Sequence, residues 1–143
     1  MTKTAFLALA FLAASGWQAM AQQPQPQQPA PPQLLSAHCT LTKATLCKES
    51  GCTASETFGE LKLPTKVSLD FNRRVMLGVG PDGFATASVM DQFAVAGPEL
   101  IGYGIDQGTS WMVHADSKDN TVTISVSSDH TVLNAFGTCV AAD

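Results

Sequence analysis

The side chains best able to do chemistry in this chain are its four cysteines, three histidines and 12 carboxylates. Cys39, Cys47, Cys52 and Cys139 are an even set behind an export-type leader, and thiols in an oxidising compartment pair by default. Four cysteines allow three pairings. The residues between Cys47 and Cys52, Lys-Glu-Ser-Gly, suit a tight loop that brings those two sulfurs together. Cys39 is then left for Cys139, a bridge from the first strand to the last; the long loop it closes would contribute about 4–5 kcal/mol on the chain-entropy account. A zinc site helped by His38 is the competing chemistry, but the spacing of four and the exported context argue against it. A redox role would call for Cys-x-x-Cys, which the sequence lacks.

His38, His114 and His130 lie far apart and none belongs to an H-E-x-x-H pair. No G-x-S-x-G elbow accompanies the serines, and nothing singles out one pair of carboxylates. Gly78, Gly80 and Gly83 match the letters of the dinucleotide fingerprint, yet FATASV follows them, a strand-like run where pyrophosphate would need a helix N-terminus. A non-catalytic protein without a cofactor or metal is therefore expected. A hydrolase whose groups converge only in the fold remains an alternative.

The residues suited to recognition are Tyr103, Asp106, Gln107, Ser110 and Trp111, in and on either side of the segment DQGTS at 106–110, which lies between the tyrosine and the tryptophan. Aromatic side chains with a polar edge anchor interfaces well, and a Gly-containing loop beside them suits insertion into a partner's cleft. Trp111 shares its parity with Val113, which places it in the core. Arg73 is a further candidate, for an anionic group, although Arg73 and its neighbour Arg74 must face opposite sides of any strand.

These groups are carried by β-strands. Residues 109–127, TSWMVHADSKDNTVTISVS, alternate on both arms of a polar turn at 116–120, the pattern of a half-buried hairpin. Alternation recurs at 67–71 and 75–79, at 84–90 behind the Gly80-Pro81-Asp82-Gly83 turn, at 100–105 and at 131–136. The run 38–48 places Cys39, Leu41 and Lys43 on one face, against Thr40, Thr42 and Ala44. The passage through Ser55, Glu56 and Glu60 reads as irregular or one helical turn, and 91–97 as strand or short helix. Even spacing of this kind predicts an all-β antiparallel meander of about seven or eight strands. An up-and-down barrel is favoured over a β-sandwich because closure removes exposed edges.

Residues 1–21 carry a basic start at Lys3, ten uninterrupted apolar residues at 5–14 and small residues Ala19 and Ala21, the parts of a secretory signal. Ten apolar residues cover about half a bilayer's hydrocarbon, so no stable membrane insertion is expected once the signal is cleaved. Residues 22–33, QQPQPQQPAPPQ, have almost nothing to bury and read as an extended Pro/Gln-rich linker, with 34–143 as the domain. The whole chain is 45% hydrophobic with only 14% charged residues. Removing 1–21 with its one cation leaves seven Lys and Arg against 12 acids, a net charge of −5 that excludes nucleic acid as a partner.

With its signal, spacer, meander and disulfide, the arrangement resembles the small exported β-barrel inhibitors and ligand carriers of bacterial envelopes, and that resemblance implies non-catalytic binding. No motif carries the functional residues of those families across. The expectation is thus a periplasmic or secreted binding module that engages an envelope protein or small ligand through loops at one end of a barrel. A structural envelope protein without a specific ligand is the alternative.

Overall fold

The computed structural model describes residues 36–142. The signal expected over 1–21 and the linker expected over 22–33 lie outside the described residues. From Ser36 onward the chain is all-β, with no helix among the described residues. Its strands are β1 (Ser36–Lys48), β2 (Gly51–Ser55), β3 (Thr57–Phe58), β4 (Leu61–Lys62), β5 (Thr65–Asp70) and β6 (Val75–Val79). They continue as β7 (Ala85–Val89), β8 (Gln92–Ala96), β9 (Glu99–Asp106), β10 (Thr109–Asp116), β11 (Thr121–Ser128) and β12 (Thr131–Ala141).

Nine of these form one antiparallel path in the order β7-β6-β5-β1-β12-β11-β10-β9-β8, with β2 paired to the far half of β1 and β3–β4 as a separate small hairpin. The sheet curls into a half-barrel. Its two terminal strands, β7 and β8, are consecutive in the chain, so the bend at Met90-Asp91 draws the sheet's edges together at one corner. Met90 N–H donates to the Arg74 carbonyl beyond β6 (2.8 Å), and the next N–H, that of Asp91, donates to Tyr103 on β9 (2.9 Å).

The concave face collects the side chains that period-two alternation assigns to it. Val113, Val122 and Ile124 of the 109–127 hairpin are fully buried with Leu41, Val67, Leu69, Phe71 and Met90. Burying each such side chain is worth about 1.5–3 kcal/mol. At the sheet's midpoint, Cys39 on β1 stands directly opposite Cys139 on β12 and the two form a buried disulfide; Cys47 and Cys52, opposite one another on β1 and β2, form the second. Two disulfides of this kind belong to a protein of an oxidising, extracellular-type environment.

Two local expectations are corrected and one open choice is decided, for strand, at 91–97. The β1–β12 register slips between Leu41 and Lys43, so Thr42 is an extra residue, and Ala44, not Lys43, joins Cys39 and Leu41 in the core. Residues 91–97 hold strand β8, because β9 supplies its ladder partners. The passage through Ser55, Glu56 and Glu60 folds as the end of β2 and the β3–β4 hairpin, anchored by the buried side chains Phe58 and Leu61.

Candidate functional site

The turns at the two ends of the half-barrel differ in what they enclose. At one end, the β5–β6, β8–β9 and β10–β11 turns stand near Phe71, Leu100 and the Cys39–Cys139 bridge, all buried. At the other, a cleft of about 440 Å3 opens between β7 and the β9–β10 turn. The β3–β4 hairpin roofs it: Leu61 reaches the space beside Gly78 of β6, where a Cβ would come within 2.6 Å of Leu61 Cδ1. Thr86, Ala87 and Ser88 form one wall, Asp106, Gln107 and Thr109 the other, and Met76, Trp111 and Val126 lie between.

The wall at Asp106 is built by a tight turn. Gln107 and Gly108 both take positive φ, 46° and 80°, the conformation of a two-residue hairpin whose twist matches its flanking strands. The segment 106–110 is therefore shorter than a free loop: Thr109 and Ser110 already belong to β10. It walls the cleft and does not protrude.

Trp111 is the residue that sets this cleft apart. It is 4% exposed, faces inward opposite Gly104 and Val126, and packs within the core cluster. Gly104 is required there, because a Cβ would lie 2.7 Å from indole Cζ2 and would also strike the Val89 carbonyl oxygen. Yet the indole Nε1 is a buried donor with no hydrogen-bond partner, the only such side-chain atom among the described residues. Buried donors are nearly always paired, and leaving one unpaired costs about 1–3 kcal/mol.

The six recognition candidates separate. Asp106, Gln107 and Trp111 line the cleft. Tyr103 and Ser110 point to the convex face, where Tyr103 pairs with Met112 and Ser110 with the exposed Ile105. They share a shallow apolar hollow there with Met112 and Ser125. Arg73 sits at the opposite end, its backbone N–H bonded to Asp70 Oδ1 (2.8 Å) and its Nε 3.8 Å from Asp70 Oδ2. What sequence reasoning missed is the other wall. Its signal was the run Ala85-Thr86-Ala87-Ser88, a strand whose inward positions carry only small polar side chains.

The histidines remain apart. His38 Nδ1 lies 3.0 Å from Ser68 Oγ, His114 Nε2 3.8 Å from Glu99, and His130 Nδ1 3.2 Å from Glu49. Among the described residues no three His, Cys, Asp or Glu side chains gather in a metal-binding arrangement. A hollow of about 600 Å3 at the hairpin tips is lined by Lys48, Glu49, Ser50, His130 and Thr131, nearly all exposed and without an apolar floor. No protein-family model, curated protein or solved structure matches the chain.

Proposed function

We propose that this protein is an exported, non-catalytic binding module, periplasmic or secreted, that engages a protein or small ligand through the cleft between β7 and the β9–β10 turn. The observation that carries this reading is the open cleft itself, with the Trp111 ring between its walls and the small side chains Thr86 and Ser88 on its β7 side. A concave space with an apolar aromatic ring in its floor and a few polar groups at its rim is the ordinary form of a ligand site. The export pattern of residues 1–21 and the two disulfides support a destination outside the cytoplasm. The separate pairing of each histidine supports recognition over catalysis.

The test is affinity capture from an envelope extract with residues 22–143 as bait, beside a Ser88→Phe variant that fills the cleft from its β7 wall. A partner or ligand retained by the parent chain and lost with Ser88→Phe supports the reading. Identical retention by both, or none by either, favours the structural envelope role instead.

A further inference from the structure

The wall formed by β7 offers more than side chains. Met90 N–H bonds to Arg74 and Gly80 N–H to the Phe84 carbonyl, so the even-numbered residues of this strand turn their backbone groups toward β6. Alternation along an antiparallel ladder then turns the N–H and C=O groups of Ala85, Ala87 and Val89 the other way, toward the gap. No backbone hydrogen bond to them from that side is found among the described residues. Across the gap, β9 leaves β8 after Tyr103; beyond that point the Ile105 N–H is bonded only by the Asp91 carboxylate (2.9 Å). The seam is tight where the Val89 carbonyl meets Gly104, and it widens toward Thr86 and Asp106 to form the cleft.

Exposed strand edges are commonly blunted by charge, proline or a bulge. Residues 85–89, ATASV, have none of these. The floor beside this edge, Met76, Trp111 and Val126, is apolar, as are Phe58 and Leu61 of the roof, while the ionisable groups in the lining are Glu60 and Asp106, both acidic. Resting on the reading of this cleft as the binding site, we infer that its ligand is an extended peptide segment of a partner protein, added as a strand to the free edge of β7. Its alternate side chains are apolar toward Trp111 and Met76, and a lysine or arginine meets Glu60 and Asp106 at the mouth.

The edge of β7 is about 17 Å long at the usual rise per residue, room for a five-residue strand. The chain's own Pro/Gln tract is a poor occupant. Its prolines lack the N–H a ladder needs, and it joins β1 at Ser36, opposite Asp70 and at the far end from the Asp106 turn.

After residue 21 the only tryptophan is Trp111, so its fluorescence and its single indole N–H resonance report on this site alone. The probe is a capped synthetic peptide alternating valine with lysine and threonine, titrated into residues 22–143. Two further versions carry N-methyl groups on alternate residues in either phase, which keeps the side chains but removes the ladder donors. The inference requires a shift of the Trp111 indole signal, slowed amide exchange at Ala85 and Ala87, and loss of binding in one N-methylated phase. Glu60→Gln with Asp106→Asn should weaken the lysine peptide by on the order of fivefold, the scale of an exposed ion pair, and leave a peptide with serine in place of lysine unaffected. An indole shift without protection at Ala85 and Ala87, or equal binding by both N-methylated phases, overturns strand addition while leaving the cleft as a binding site. No shift with any peptide overturns it as well. Loss of discrimination between the parent and Ser88→Phe in the capture experiment would remove the underlying reading separately.

Discussion

β7 and β8 are two halves of one extended run, bent at Met90-Asp91, and each is bonded on one side only: β7 to β6, β8 to β9. They end differently on their unbonded sides. On β8 the residues of inward parity are Phe93 and Val95, and Phe93, though 39% exposed, sets its ring 5.8 Å from that of the buried Phe71 and partly covers the space next to the β5–β6 turn. On β7 the inward residues are Thr86 and Ser88, too small to span the gap, and a cleft remains. Side-chain volume at two or three alternating positions thus decides whether an unpaired edge is filled from within or left open to an incoming strand.

The seam contrasts with the middle of the same sheet, where β1 and β12 are joined covalently. Replacing Cys39 and Cys139 together by alanine releases a loop of 100 residues and should lower stability by about 4–5 kcal/mol in urea unfolding. The same change at Cys47 and Cys52, five positions apart, should cost about 2 kcal/mol. Equal losses would mean that the centre of the sheet is held by packing and not by its bridge.

Next in size is the pivot. Met90 is 1% exposed and lies over Gly102, where a Cβ would come within 2.7 Å of its sulfur. Met90→Ala should cost about 3 kcal/mol by leaving a cavity that the surrounding strands fill poorly. Amide exchange should quicken in β7 and β8 together while β12 stays protected. Quickening confined to one half would show that the two are not coupled through the bend.

The difference between the halves can also be erased. Phe93→Ala should cost about 1 kcal/mol, and a double-mutant cycle with Phe71→Leu should return a coupling of that order for the tilted ring pair. The variant leaves the β8 side as empty as the β7 side. Faster exchange at the β8 amides with β7 unchanged would establish that a single ring closes that edge.

Much of this was legible in the residues. Alternation at 109–127 and 67–79 located the core strands and the inward parity of Trp111, and cysteine spacing located both bridges. Thr42 is not legible: a bulge adds one residue, and only the partner strand reveals it, so strict alternation puts Lys43 and Ala44 on the wrong faces. The site was half legible. Asp106, Gln107 and Trp111 adjoin in sequence, whereas Thr86 and Ser88 reach them only because the sheet curls, a property of twist accumulated over many strands that no local window contains. Tyr103 is near these residues along the chain only, because its parity, opposite to that of Gly104, sends it to the convex face.

The smallest effect concerns the rim itself. Gln107 occupies the first position of a hairpin turn whose two residues both have positive φ, a conformation glycine and asparagine enter more easily than glutamine. Gly108 already meets the demand at the second position. Gln107→Asn should therefore stabilise the domain by about 0.5 kcal/mol, a fraction of the roughly 1–2 kcal/mol that a Cβ-bearing residue loses in the left-handed region. A raised urea midpoint with an unchanged slope is the expected observation. Because Gln107 lines the cleft, the same variant separates two roles for the turn. Higher stability with undiminished peptide affinity would make it a rigid wall, whereas higher stability bought with weaker binding would mean that the longer glutamine side chain touches the ligand.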